Sequence, residues 1–378
     1  MSRYKKKKTV LVLYAPIGSG HASAADAIKE QFLKYQDVDF IMADIFDFVP
    51  SLFCKSLLKS YMELLHYMPA GYDFLYRWGD MNSSLFLRNI VNKIFYNGMK
   101  DFLDKYSPDA VIATHVTPAG IIAKYKKNVK KDIALLGVVT DYAMHKWWVY
   151  DEIDCYIVPD EKMFTEYKAK LKTNQKVYDL GIPVHENFSK NRPVKNDLRE
   201  EFGIEKDAFV CLMTGGGEGL LPMPDIVKAW EKHADNNEKN VFIAVCGRNK
   251  ELADKLRRFG FSWLKVVEYT YDISRYMRAA DLMVSKAGGV SATEAMVVGI
   301  PLVIYKPLPG QEYINAKNLA DSSLAIEAKK AEDVCGIVLA AKKNIFKKIE
   351  DIKAAQRQLV KKDAAFAIME KTYEYINL

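Results

Sequence analysis

Short apolar runs alternate along this chain with amphipathic segments of helical spacing, and most of the runs end in glycine or a polar residue. Val10–Tyr14, Ala110–Thr114, Ile133–Val139 and Cys155–Val158 are nearly free of polar positions, as strands covered on both faces are. Asp39–Met42 reads as a further strand, and Ala22–Tyr35 and Pro118–Tyr125 as helices. A second series follows. Strands are predicted over Phe209–Thr214, Val241–Cys246, Val266–Glu268, Leu282–Ser285 and Leu302–Ile304. Helices are predicted over Pro224–His233, Leu252–Phe259, Ile273–Ala280 and from Gly288 to Val298, with helical patterns continuing from Glu312 to Leu378. Alternation of this kind predicts an α/β protein with doubly wound parallel sheets. Asn187–Asp197, polar and carrying Pro193, reads as a linker. Residues 1–190 and 191–345 are therefore expected to be two Rossmann-like domains, with the ligand site in a cleft at the C-terminal ends of their strands.

One region departs from the alternation. Asp44–Tyr106 is a long insertion rich in aromatics, among them Phe46, Phe53, Tyr61, Trp78, Phe86 and Phe95, interleaved with Lys55, Lys59, Arg77, Arg88, Lys93 and Lys100. Such interleaving suits either the face of an anionic bilayer or a helical layer packed on its own domain. No apolar stretch approaches the roughly 18–20 residues that a membrane-spanning helix needs, so any membrane contact is expected to be peripheral. The chain is 49% hydrophobic and 27% charged, with a net charge of +7. That charge favours an anionic partner, while the absence of a dense Lys/Arg stripe argues against nucleic acid. Five cysteines are scattered without a Cys-x-x-Cys or Cys/His cluster, so buried reduced thiols of a cytosolic protein are expected rather than a disulfide framework or a metal site.

The candidate chemistry sits where strands end. Ser285-Lys286-Ala287-Gly288-Gly289-Val290-Ser291-Ala292-Thr293-Glu294 reads as strand, glycine turn and helix start. Free amides at such a helix start suit a diphosphate, with the hydroxyls of Ser291 and Thr293 facing it. Glu294, about one turn in, can accept hydrogen bonds from the two hydroxyls of a ribose. Gly215, Gly216 and Gly217 end another strand and can bring backbone amides to phosphate oxygens. Gln311 and Glu312, after Pro309-Gly310, suit sugar hydroxyls. The first strand runs into Gly18-Ser19-Gly20-His21, where the helix dipole is expected to keep His21 neutral and able to act as a general base. Asp141, after the Ile133–Val139 strand, could orient a base or bind an acceptor hydroxyl, and Trp147 and Trp148 just beyond suit a sugar face, a lipid headgroup layer or, equally well, a packed aromatic loop. The first glycine turn, with Asp44 ending the second strand, is a weak dinucleotide signal. Asp37-Val38-Asp39 imitates a metal-binding Asp-x-Asp motif but falls at the wrong end of a strand, and no metal site is expected.

Gly-Ser-Gly-His-x-Ser-Ala, Val-Thr-Asp, Gly-Ile-Pro-Val, Gly-Gly-Gly-Glu-Gly, Lys-Ala-Gly-Gly-x-Ser-x-x-Glu-Ala and Pro-Gly-Gln-Glu-x-x-Asn-Ala occur in that order. Together they resemble the diacylglycerol glycosyltransferases of glycosyltransferase family 28, over most of the chain. The resemblance implies a GT-B fold, with helices of 346–378 crossing back to the N-terminal domain. It implies inverting, metal-independent transfer of a hexose from UDP-glucose or UDP-galactose, a co-substrate rather than a cofactor, to diacylglycerol. It implies His21 as catalytic base, and the residue reading adds Asp141 to the catalytic group. For the UDP-sugar it implies Gly288, Gly289, Ser291, Glu294, Gln311 and Glu312, to which the strand-end reading adds Gly215, Gly216 and Gly217. For the acceptor and an anionic membrane surface the residues themselves nominate Gly20, Trp147, Trp148, Lys55, Lys59 and Arg77, and a cytoplasmic protein attached peripherally to the inner face of the cell membrane is expected. The sequence departs from the family pattern at Ala287, where many members have proline, and in a first turn that reads Pro-Ile-Gly-Ser-Gly-His rather than Gly-Gly-Gly-His. The residues alone leave open an N-acetylglucosamine-type transferase, a UDP-sugar epimerase or a non-catalytic nucleotide-sugar or lipid-binding protein.

Overall fold

The computed structural model describes residues 7–51, 85–169, 171–172, 174–190, 193–232, 239–343 and 347–377. The chain divides into two compact units, one of Met1–His185 with Pro309–Gln311 and Asp363–Leu378, the other of Glu186–Leu308 with Glu312–Lys362. In the first unit, strands β1 (Thr9–Tyr14), β2 (Asp39–Asp44), β3 (Ala110–Ala113), β4 (Ala134–Val138), β5 (Cys155–Val158) and β6 (Lys176–Asp179) form one sheet in the order β2-β1-β3-β4-β5-β6. Every neighbouring pair is parallel.

The apolar runs read as strands for a simple reason: successive side chains leave the sheet on opposite faces, and both faces are covered. Val10, Val12, Ala110, Ile112, Leu136 and Ile157 pack with Ile28 and Phe32 of α1 (Gly20–Tyr35) and with Ile368 and Met369 of the C-terminal helix Ala364–Ile376. Leu11, Leu13, Val111, Ala113, Leu135 and Tyr156 pack on the other side with Met99 and Leu103 of α2 (Leu85–Tyr106) and Ile121 and Ile122 of α3 (Val116–Val129). Ile368 and Met369 are fully buried, and burying each contributes about 1.5–3 kcal/mol, which holds the C-terminal helix on this unit.

The second unit carries β7 (Phe209–Thr214), β8 (Asn240–Val245), β9 (Leu264–Val267), β10 (Leu282–Ser285), β11 (Leu302–Tyr305) and β12 (Ile326–Ala328), in the order β12-β11-β10-β7-β8-β9 and again parallel throughout. Two strands escape the apolar-run reading. β6 has exposed ends and half-buried centres, and β12 is a three-residue edge strand with Glu327 exposed at its middle. The helices expected to cross back from 346 are of two kinds. Lys348–Leu359 stays on the second unit, where Ile352 is fully buried in its core and Gln356 Nε2 donates to Leu324 O at 2.8 Å. Only Ala364–Ile376 packs on the first unit.

The described part of the aromatic insertion beyond residue 84 is the single helix α2. One face is packed, through Asn92, Phe95, Tyr96, Met99 and Leu103; Phe86, Leu87, Ile90 and Ile94 stand exposed on another, Phe86 at 73%. Among the described residues no helix is long and apolar enough to cross a membrane.

Candidate active site

In each sheet the first strand has its successor on one side and a later strand on the other, which creates a switch point where a ligand crevice opens beyond the carboxyl ends of the strands. In the first unit that point lies at β1 and β3. The turn after β1 includes Gly18 with φ +80°, and α1 starts with neither a side-chain cap on Ser19 nor an acidic residue in its first turn.

His21, the second residue of α1, is held by the ends of β3 and β4. Its Nδ1 lies 2.9 Å from Thr114 O and 2.8 Å from Thr140 Oγ1. A carbonyl oxygen only accepts, so Nδ1 carries the hydrogen and the neutral ring keeps its lone pair on Nε2. The Thr140 hydroxyl donates to Thr114 O at 3.4 Å, and Thr114 Oγ1 donates to His21 O at 3.0 Å. Burial lowers the His21 pKa, against the opposing pulls of the Asp141 charge and the Thr114 carbonyl, leaving it below the usual imidazole value. The sequence reading expected neutrality from the helix dipole; burial is the leading cause. Asp141 acts on the ring by charge, while Thr114 and Thr140, which the sequence reading did not single out, fix its tautomer. His115 stands edge-on to His21 with ring centroids 4.7 Å apart. Its own Nδ1 accepts from Thr117 N at 3.2 Å, and burial and the neighbouring imidazoles keep it well below the usual value and neutral.

The switch point of the second unit lies at β7 and β10. Gly215–Gly217 follow β7 in a turn closed by Gly219 N to Gly216 O at 3.0 Å and Leu220 N to Gly215 O at 3.1 Å. This is no loose turn. Gly216 has φ +74°, and a Cβ on Gly247 would stand 2.3 Å from Gly217 O, so two glycine loops interlock there. Beyond β10, α4 (Gly289–Val298) starts from Gly288 with no side-chain cap and no acidic residue in its first turn. Its first backbone bond is Ala292 N to Gly288 O, so the amides of Gly289, Val290 and Ser291 have no acceptor within the helix. Ser291 is partly exposed beside them. Thr293 is not available as expected: it is buried and its hydroxyl donates to Gly289 O at 2.9 Å.

Glu294 is only 8% exposed and has no hydrogen-bond or ion-pair partner among the described residues. Burial alone pushes its carboxyl up to about 8. Lys286 runs between the two glycine turns. Its Cε lies 3.5 Å from where a Cβ on Gly216 would stand, and its Nζ 3.9 Å from where one on Gly288 would. The ammonium pairs with Glu312 Oε1, and Glu312 Oε2 accepts from Leu308 N at 3.1 Å. Glu312 therefore carries an ion pair the sequence reading did not foresee. Asn315 of α5 (Gln311–Asp321) is fully buried and donates to Ala287 O at 3.0 Å, bracing the turn.

Gly20 is the first residue of α1. Gln311 Nε2 donates to Ala143 O at 2.9 Å, two residues beyond Asp141. Trp147 is partly exposed, its ring 5.8 Å from that of His145. Trp148 is 7% exposed in the core against Gly137 and so is not available to a sugar or a headgroup. Lys55, Lys59 and Arg77 lie outside the described residues. Asp44 accepts from Phe46 N at 2.8 Å, capping the short turn that follows β2. Cys155, Cys211, Cys246 and Cys335 are free and buried, and burial raises every one of these thiols. Among the described residues no group of three or more His, Cys, Asp or Glu could hold a metal ion.

Two α/β units, each a parallel sheet with polar groups gathered at the C-terminal strand ends of its switch point, have the architecture of the GT-B glycosyltransferases. The fold matches the crystal structure of MurG from Acinetobacter baumannii, with a TM-score of 0.60, 16% identity and coverage of 96% of this chain and 98% of that one. It also matches HepE of Anabaena solved in complex with UDP-glucose, with a TM-score of 0.56, 15% identity and coverage of 97% and 99%. The sequence model of the monogalactosyldiacylglycerol synthases matches residues 21–184, and that of the glycosyltransferase family 28 C-terminal domain matches residues 210–371. A processive diacylglycerol beta-glucosyltransferase of Bacillus subtilis (strain 168) is 29% identical over 350 residues, which cover 86% of this chain and 85% of the relative. The chain belongs to the diacylglycerol glycosyltransferases of glycosyltransferase family 28.

Proposed function

We propose that the protein transfers a hexose from UDP-glucose or UDP-galactose to diacylglycerol, or to a glycosyl-diacylglycerol, with inversion at the anomeric carbon. The reaction needs no cofactor or metal ion and runs at an anionic membrane surface, with the protein attached peripherally to the inner face of the cell membrane. The observation that carries this reading is His21, a neutral imidazole whose Nδ1–H is committed to Thr114 O, leaving Nε2 to accept a proton.

The acceptor hydroxyl oxygen uses an electron pair to form the new bond to the anomeric carbon, and its proton passes to His21 Nε2. The bond from that carbon to the β-phosphate oxygen breaks, and its electrons leave with UDP. The Asp141 charge, which raises the His21 pKa, stabilises the imidazolium as it forms. The free amides of Gly289, Val290 and Ser291 and the dipole of α4 meet the charge developing on the leaving phosphate, which supports a mechanism without a metal. Glu294 takes the ribose hydroxyls.

The names of the relatives support both sugars: the matching family model is of galactosyl transferases and the Bacillus relative is a glucosyltransferase. The beta linkage in that relative's name supports inversion, since the donor sugar is α-linked to UDP. HepE, solved with UDP-glucose, supports a UDP-sugar donor. The exposed Phe86, Leu87, Ile90 and Ile94 support contact with a lipid surface. Nearby, Leu85, Arg88, Lys146 and Val149 line a cavity of about 350 Å³ next to Trp147, a place for the acceptor's acyl chains.

The test is turnover of each UDP-hexose with diacylglycerol in anionic vesicles containing a chelator. A β-linked hexosyl lipid formed at undiminished rate is the expected product. An α-linked product would overturn the single displacement by His21, and loss of turnover in the chelator would overturn metal independence.

A further inference from the structure

We propose that Lys286 contacts the diphosphate of the donor and that Glu312 is its alternate partner, released for the sugar when the diphosphate takes the ammonium. The inference rests on the donor site proposed above and deepens it. Lys286 leaves the end of β10 and lies against both glycine turns, its Nζ beside Gly288, the residue from which α4 starts. That location puts an ammonium at the same helix start as the uncapped amides of Gly289, Val290 and Ser291. A diphosphate bound by those amides would lie within the lysine's reach, and its charge exceeds that of one carboxylate. A lysine suits the exchange, being a compact charge with three rotatable donors on a flexible stem.

The partner is built for the exchange as well. Lys286 and Glu312 side chains are only 16% and 15% exposed, so water screens their attraction little. Glu312 is anchored independently of the lysine, because Oε2 accepts from Leu308 N. Asn315, one turn along α5, ties the same helix to Ala287, the residue next to Lys286. When the ammonium turns to the diphosphate, Glu312 keeps its position and Oε1 becomes a free acceptor for a sugar hydroxyl. Diphosphate binding thereby creates the sugar contact. During transfer Lys286 holds charge accumulating on the leaving UDP, adding a side-chain cation to the helix amides.

The test compares UDP and uridine binding, by calorimetry and ligand NMR, in the full chain and in Lys286→Met and Glu312→Gln. Lys286→Met should weaken UDP binding about tenfold or more and leave uridine unchanged. Glu312→Gln keeps an oxygen for the Leu308 amide and loses the ion pair and the Oε1 acceptor. It should tighten UDP severalfold, leave uridine unchanged and lower kcat with the UDP-hexose. Unchanged or weaker UDP binding in Glu312→Gln would overturn the exchange. Equal loss of UDP and uridine in Lys286→Met would make Lys286 a support of the turn and no more. A wild-type protein that binds neither ligand would remove the donor site itself, an outcome distinct from failure of the exchange.

Discussion

His21 and Glu294 are the central side chains of their respective switch points, and their surroundings are opposites. His21 is gripped from two strand ends: its ring by Thr114 O and Thr140 Oγ1, its backbone carbonyl by the Thr114 hydroxyl. Glu294 is buried more deeply and has no partner among the described residues. A proton acceptor works only if its tautomer and orientation are fixed before the substrate arrives, so the protein spends its own hydrogen bonds on the histidine. A carboxylate that recognises hydroxyls must keep its acceptor sites for the ligand, and the consequence is a buried carboxyl whose pKa rises to about 8.

The largest expected effect breaks the first half of this contrast. His21→Ala should lower kcat by about 10²–10⁴ while UDP affinity, measured by calorimetry, stays within error. A parallel loss of UDP affinity would assign His21 to the fold or to donor binding.

Next comes Glu294→Gln, expected to weaken UDP about tenfold by exchanging an acceptor-only group for an amide. It has a sharper signature. The wild-type carboxyl, titrating at about 8, is mostly protonated at pH 7, whereas ribose hydroxyls donate to the ionised form. UDP binding at pH 7 should therefore release a proton, seen as a buffer-dependent binding enthalpy, and Glu294→Gln should release none. The same shift has a consequence for stability. A carboxyl raised from 4.5 binds its proton more tightly folded than unfolded. Its contribution is full below about 4.5 and is lost as pH rises through about 8. Thermal unfolding should show Glu294→Gln gaining on the wild type as pH goes from 5 to 9; a constant difference would mean that the carboxyl is not held protonated.

Asp141→Asn should act more mildly. Removing the charge that raises the His21 pKa moves the acid limb of the kcat profile to lower pH, with a plateau lowered about tenfold as the imidazolium loses its partner charge. An acid limb that stays in place would separate Asp141 from His21. The smallest effect is expected from Phe86→Ser with Ile90→Ser, a severalfold loss of binding to anionic vesicles with UDP affinity unchanged. Vesicle binding that does not respond would assign the apolar stripe to another surface.

The alternation of buried strands and helices was legible because parallel strands covered on both faces leave uninterrupted apolar runs. Two of the four edge strands do not: Lys176–Asp179 and Ile326–Ala328 carry too few apolar positions to stand out. His21 and Glu294 were legible because each lies in the opening turns of a helix that follows a glycine turn, a local pattern. Thr114, Thr140 and the Lys286–Glu312 pair were not, because their roles depend on strand neighbours and on a helix that folds back to the turn, 93, 119 and 26 residues away from their partners. Trp148 could not be separated from Trp147 for the same reason. Two adjacent tryptophans look alike in a sequence, and only the packing of one against Gly137 and Tyr156 separates them.

The most direct test of the central claim is UDP release from UDP-glucose and UDP-galactose by the wild type and by His21→Ala, with and without diacylglycerol in anionic vesicles, reading the lipid by mass. The result expected is release that requires the lipid, a hexose-sized gain in lipid mass, and loss of both in His21→Ala with UDP binding retained. UDP release without lipid, or a hexosyl lipid formed equally well by His21→Ala, would contradict it.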